Sequence, residues 1–387
     1  MSFSINRMSL HFLVTVLVWS MSVLTMVKAQ NLEQVEAKGV GGNRTEALED
    51  ALRNAVGQAV GVTVRSTSVV ENFILIKDAI STNTKGYISS YEVIEEGPST
   101  VGYGVSVSAK VSLDPLKADI QHLTRQIGGV RFLVMYDTRK SRSSEEEKLY
   151  DDAVEGINSF LSQNDYRYIE KSRFVELQQE ALGVMQESDS SELSYVQQLG
   201  ILSGAQFIIF ISEVSNENKF GGAFDLRTLS RGKVKVKAYD NCTAEGLGTV
   251  TLTSDWKKVL TNDSGPGNTV SETLNEQLPS LLSVFNSYIG KWINGGTPYE
   301  LRFYSIGSLR DLREMRSKLK EDPKFGGQLE VVSVKNYTRF NCTFKKLPDD
   351  LAFDILDYAD AIPALQQKKL DIKLMYGRQI SFAPQTE

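Results

Sequence analysis

Alternation is the strongest pattern in the chain. From Val101 to Val111, the residues Val101, Tyr103, Val105, Val107, Ala109 and Val111 point one way, and Gly102, Gly104, Ser106, Ser108 and Lys110 the other. A period of two marks a strand with one buried face. The run "YISSYEVIEEG" from Tyr87 predicts its hairpin partner, with Pro98, Ser99 and Thr100 in the turn. Upstream, "QVEAKGV" predicts another short strand, after which the period becomes that of a helix. Ala47, Leu48, Ala51, Leu52, Ala55, Val56, Ala59 and Val60 form one broad apolar stripe. So many alanines imply that this helix lies close on a sheet. Asn43 with Glu46 three residues later is a capping box in its Asn form, and Gly39 and Gly41 are read as turning the chain. Residues 30–118 are therefore expected to form a β-α-β-β module.

A linker helix, "DPLKADIQHLTRQIGG", leads to a second pattern spanning residues 128–295. "VRFLVMYD" reads as a buried strand, Leu149, Ala153, Ile157, Phe160 and Leu161 as the stripe of a helix, and "YRYIEK" as a second strand. Two helices follow, capped by Ser172 and Ser191, then the strand "AQFIIFISEV", two long strands, and a helix from Thr269 to Trp292. Alternating strands and helices predict an α/β layer. In residues 297–387 the order is strand, helix, two strands, helix, strand, with "KLDIKLMYG" and "QISFAP" closing the chain. This is the order of a ferredoxin-like split β-α-β fold. The fold class expected is thus multidomain, α+β with an α/β middle domain.

The first 29 residues have a different character. Arg7 precedes an apolar run from Leu10 to Val27, and Val27 and Ala29 are small residues at the two positions a signal peptidase reads. A secretory signal cut between Ala29 and Gln30 is expected; the alternative is an uncleaved membrane anchor. No cysteine follows the cut, so a lipid anchor is not expected, and contact with a membrane would be indirect. The mature chain is expected to be periplasmic or secreted. Apolar residues make up 41% and charged residues 24% of the chain, as in soluble globular proteins. Loss of Arg7 and Lys28 leaves a formal charge of about −7, which disfavours nucleic acid as a partner. The one basic run, Lys233, Lys235 and Lys237 alternating with Val234, Val236 and Ala238, reads as the solvated face of a strand.

Catalytic chemistry has little to work with. The chain has two histidines, and removal of His11 with the leader leaves His122, expected to be exposed on the linker helix. Triads built on a histidine base and common zinc sites need more than this. Gly39 and Gly41 are followed by Arg44 where a dinucleotide fingerprint has its third glycine, and no P-loop lysine is present. The adjacent acids Glu95 and Glu96, Asp151 and Asp152, and Asp349 and Asp350 diverge on a strand or helix and do not converge on one bond. No catalytic residue, cofactor or metal is expected, and no enzyme. Cys242 and Cys342 fall in different modules, which favours two buried thiols, although an oxidising compartment permits a bridge.

The segments "EAKGVGGNRTEALEDALRNAVGQAVG", "KGYISSYEVIEEG" and "YGVSVSAKVSL" resemble the amino-terminal module of the flagellar assembly protein T family of secreted bacterial envelope proteins. The positions that carry the resemblance include Ala47, Ala51, Leu52, Ala55, Val56, Ala59, Gly61, Gly86, Tyr87, Ile88 and Tyr91. In residues 128–295 the order of elements and Gly204-Ala205-Gln206-Phe207 are similar to the middle domain of that family, to the curli-secretion lipoproteins and to the amino-terminal domain of the Tol–Pal propeller protein, with Gln206 in place of their acid. The carboxy-terminal module departs from the family. The resemblance rests on packing and turn residues and implies a fold more than an activity. Three small modules in series behind a secretory signal, with little catalytic chemistry, suit a scaffold or assembly factor of a cell-envelope complex, with other envelope proteins or a second copy of itself as partner. The alternative is a peptide- or glycan-binding module using a strand face at Tyr87, Ser89 and Tyr91.

Overall fold

The computed structural model describes residues 31–65, 73–127, 129–187, 195–220, 228–259, 266–306, 309–333 and 336–385. The expected cleavage site at Ala29 and Gln30 and the expected cap Ser191 lie outside these residues. The described residues fold as mixed α and β structure around three sheets.

In the first sheet β1 (Leu32–Gly41) and β2 (Ile88–Ser99) flank β3 (Gly102–Ser112), all antiparallel. Val35 and Ala37 of β1 and Val105, Val107, Ala109 and Val111 of β3 are buried beneath α1 (Arg44–Arg65), against which α2 (Phe73–Ser81) packs. Six residues of the α1 stripe, Ala47, Ala51, Ala55, Val56, Ala59 and Val60, are fully buried. Gly39 and Gly41 do not turn the chain, as the sequence suggested; both lie within β1. A β-carbon on Gly39 would stand 2.1 Å from the Ala51 nitrogen, and one on Gly41 2.6 Å from that of Ala47. Glycine is there because the helix backbone rests directly on the strand. The helix start is capped as expected: Glu46 N–H donates to Asn43 Oδ1 at 3.0 Å, and Gly42 N–H to Glu46 Oε2 at 2.8 Å.

After α3 (Leu113–Ile127), the second sheet has the order β4 (Phe132–Tyr136), β5 (Phe207–Phe220), β6 (Thr228–Asp240), β7 (Glu245–Thr253), with the short β8 (Lys257–Val259) also paired to β6. The first pair is parallel and the others antiparallel. Every residue of β4 is buried, because the sheet is covered on both faces. Phe132, Val134 and Tyr136 join the same core as α4 (Ser144–Gln163), whereas Leu133 and Met135 meet Leu177 and Ala181 of α5 (Lys171–Glu187) and Leu199 of α6 (Tyr195–Ser203). "YRYIEK" contributes a single bridge, Tyr168 to Phe132, in place of a full strand.

The long α7 (Pro266–Gly295) ties the first two sheets together. Val270, Leu274, Leu278, Leu281, Phe285, Ile289 and Trp292 form its buried stripe at spacings of three and four residues. Its Asn286 amide donates to Asp78 of α2 at 2.9 Å. A β-carbon on Gly290 would meet Thr82 Oγ1 at 2.1 Å, so α7 and the end of α2 touch backbone to side chain there. One continuous apolar core consequently runs from Val35 to Ile293.

The third sheet, with a separate core, has the order β10 (Phe325–Ser333), β11 (Tyr337–Phe344), β9 (Thr297–Tyr304), β13 (Gln379–Pro384), β12 (Leu370–Tyr376). Helices α8 (Arg313–Glu321), α9 (Pro348–Asp360) and the short α10 (Pro363–Gln366) complete it. This departs from the expected ferredoxin-like order. The last element is a hairpin, and its second strand, β13, inserts beside β9 and runs parallel to it, which displaces β12 to the edge. Burial explains the exchange: Gln379, Ile380, Ser381 and Phe382 are all buried, while Asp371 and Lys373 give β12 the half-polar character of an edge strand.

Candidate interaction surfaces

Candidate sites lie at the amino-terminal sheet, at the seam between the second and third sheets, and in a cleft beneath α3.

The side chains of α1 close one edge of the first sheet. Val40 N–H donates to Asp50 Oδ2 at 3.1 Å and Asn54 donates to the Lys38 carbonyl at 2.8 Å. The other edge, β2, pairs with nothing but β3 among the described residues. Its ladder skips Ser89 and Ile94, which form bulges. Of the ten large apolar side chains that stand exposed among the described residues, six belong to this module: Leu32, Val40, Val62, Tyr91, Ile94 and Val101. Val101, at the tip of the β2–β3 hairpin, is 74% exposed and Ile94 56%. Beside them Gly97 and Gly104 are paired across the strands, next to Val40. Together they floor a shallow hollow of about 280 Å³ flanked by Lys38 and Glu95.

The strand face expected from Tyr87, Ser89 and Tyr91 does not form. Tyr87 is 1% exposed, and its hydroxyl donates to Asp119 Oδ2 of α3 at 2.8 Å. Burial, followed by the charge of Asp119, pushes the Tyr87 hydroxyl well above the ordinary tyrosine range. Tyr87 precedes β2, and the bulge at Ser89 breaks the period of two on which the expected face relied. Ser89 and Tyr91 are exposed.

At the seam, the turn of the β12–β13 hairpin packs against the second sheet at the start of β5 and the end of β6. Arg378, 1% exposed, donates from Nη1 and Nη2 to the two carboxylate oxygens of Asp240 at 2.6 and 2.7 Å. Its guanidinium lies 4.5 Å from the ring centre of Trp292. Asp240 also accepts from the Tyr288 hydroxyl at 2.6 Å and the Cys242 N–H at 3.0 Å. Burial works against the arginine's charge, but Asp240, with smaller contributions from Cys242 and Tyr288, holds its pKa above the usual value. Tyr376, on the same turn, donates to the Ala205 carbonyl and accepts from Asn241 at 3.0 Å. Gly377 has φ +52°, and a β-carbon there would stand 2.8 Å from Cys242 Sγ, so only glycine fits the turn. Sequence reading missed this pair. Cys242 and Cys342 are both free and buried, and burial pushes the Cys242 thiol up to about 12.

The cleft beneath α3, about 750 Å³, is walled by α3, by Ile293 of α7 and by the base of the third sheet. His122 lines it, so this residue is not simply exposed on a linker helix as expected; its Nε2 is buried and has no hydrogen-bond partner. Burial, then Lys345, Arg125 and Lys324, push its pKa below the usual histidine value. Among the acids named from sequence, Glu96 pairs with Arg44 at 2.8 Å, Asp151 accepts from Tyr136 at 2.9 Å, and Asp350 lines the cleft. Among the described residues no helix is long and apolar enough to cross a membrane.

No protein-family model matches the sequence, and no curated protein matches it. Solved structures similar over part of the chain include a lipoprotein from Neisseria meningitidis, at 12% identity over 40% of this chain and 96% of that one, with a TM-score of 0.26. The C-terminal domain of LpoB from Salmonella enterica matches at 13% identity over 33% of this chain and 83% of that one, TM-score 0.21. A minor lipoprotein from Acinetobacter baumannii matches at 11% identity over 43% and 89%, TM-score 0.20. These are slight likenesses to bacterial lipoproteins and envelope proteins, and they fix neither fold nor role for this chain. Membership of the flagellar assembly protein T family is not shown.

Proposed function

We propose that the protein is a non-enzymatic component of the cell envelope, periplasmic or secreted, that acts as a scaffold or assembly factor and is a non-flagellar relative of the flagellar assembly protein T family. The amino-terminal hairpin is its contact surface. The observation that carries this reading is that Tyr91, Ile94 and Val101 all stand exposed on one hairpin whose outer strand, β2, has an unpaired edge among the described residues. Scattered single apolar residues are ordinary on a surface, whereas several on one hairpin beside an unpaired strand edge favour a site of association. The leader-like first 29 residues support the compartment. A peptide- or glycan-binding strip is less favoured, since Tyr87, one of its three residues, is buried.

The test is sedimentation of the purified chain and of an Ile94→Asp, Val101→Asp variant. Self-association that the variant loses, with the Tm unchanged, supports a homo-oligomeric scaffold. If wild type and variant are both monomeric at high concentration and neither is retained by envelope fractions, the reading fails.

A further inference from the structure

The cleft beneath α3 gathers cations that form no direct ion pair with the carboxylates lining it. Arg125 comes from α3, Lys324 from the turn before β10, and Lys345 from the end of β11. The two lysines are held side by side by the hydrogen bond from Lys345 N–H to the Lys324 carbonyl, at 2.8 Å. The fourth cation, Lys346, is already engaged by Asp322 and by Asp354. Of the lining carboxylates, Asp119 accepts from the Tyr87 hydroxyl and lies near Lys345, Asp354 is bound to Lys346, and Asp350 sits in the first turn of α9. Arg125, Lys324 and Lys345 make no ion pair with any of them. His122 Nε2 faces the same space without a partner. Leu347, at the N-cap of α9, has no side chain able to cap the helix, so the rim also carries uncapped backbone N–H groups.

We propose that this cleft binds a small anion bearing phosphate or carboxylate groups, with Arg125, Lys324 and Lys345 as its counter-charges and His122 as a hydrogen-bonding partner. The volume of about 750 Å³ is enough for a molecule rather than a single ion. Such a ligand would touch α3, α7 and the third domain at once, and so would brace the junction of the modules. The histidine reports on it. An anion at the cations would offset the charge that now disfavours the imidazolium, and the His122 pKa would rise.

The experiment follows the His122 imidazole resonance by NMR through a pH titration, assigned with His122→Gln, in pyrophosphate, in citrate, and in sodium chloride of equal ionic strength. In at least one of the two polyvalent anions, the midpoint should rise by about one pH unit over that in chloride; which anion does so separates phosphate from carboxylate chemistry. An Arg125→Ala, Lys345→Ala variant should lose the shift while its midpoint in chloride rises, and both side chains are exposed enough to be changed without loss of the fold. Lys324→Ala should weaken binding in the same direction. Identical midpoints in all three salts would overturn the proposal, as would a shift that persists undiminished in the double variant.

Discussion

Arg378 carries its charge where no water reaches it. Removing one partner of such a buried pair strands the other, so Arg378→Ala should cost about 3–5 kcal/mol in urea denaturation, whereas Arg378→Ala with Asp240→Ala should cost less than the two single changes added together. Equal, additive losses would show that the two residues do not act as a pair. His122 makes a second prediction. Its folded pKa lies below the unfolded value of about 6.5, so the unfolded chain takes up a proton first as pH falls. Stability should therefore decline as pH drops below about 6.5 and continue to fall until the folded pKa is passed. His122→Gln should show a smaller drop in Tm between neutral and mildly acidic buffer; an unchanged drop would place the pH dependence elsewhere. Neither residue could be singled out from sequence. A turn arginine after glycine usually points to solvent, and a histidine on a polar linker helix gives no local sign that another domain will cover it.

At the scale of elements, what the sequence made legible was periodicity. From Tyr103 to Val111 β3 alternates as read, although Val101, read as part of its apolar face, lies in the turn while Pro98 and Ser99, read as turn, pair in the ladder. The alanine and valine positions of the α1 stripe are buried as read. Periodicity misled where one residue is added or one strand is inserted. The bulge at Ser89 reversed the face assigned to the Tyr87 segment, and the final hairpin placed β13 where a ferredoxin-like fold has its last strand. Register and strand order depend on partners distant in sequence. Glycines report close approach more faithfully than turns here. Gly290→Val should therefore cost about 1–3 kcal/mol by forcing α7 away from Thr82, read as a lower midpoint of denaturation; Gly61→Ala, with open space around its β-carbon, should cost nothing and serve as the control. A Gly290→Val protein as stable as wild type would mean that the two helices do not meet as described.

As a whole molecule, the chain is three sheets joined by two devices, the continuous core along α7 and the buried ion pair at the hairpin turn. Both hold the modules in fixed relation, which suits a part that transmits position rather than one that opens around a substrate. The amino-terminal hairpin, by contrast, leaves apolar side chains uncovered. The most direct test of a role by contact is photo-crosslinking in intact cells, with the photoreactive residue at Ile94, at Val101, and at Glu145 of α4 as the control. Adducts of discrete size at Ile94 and Val101, absent at Glu145, are the predicted result. No adduct at either hairpin position, or the same adducts at all three, would contradict the account.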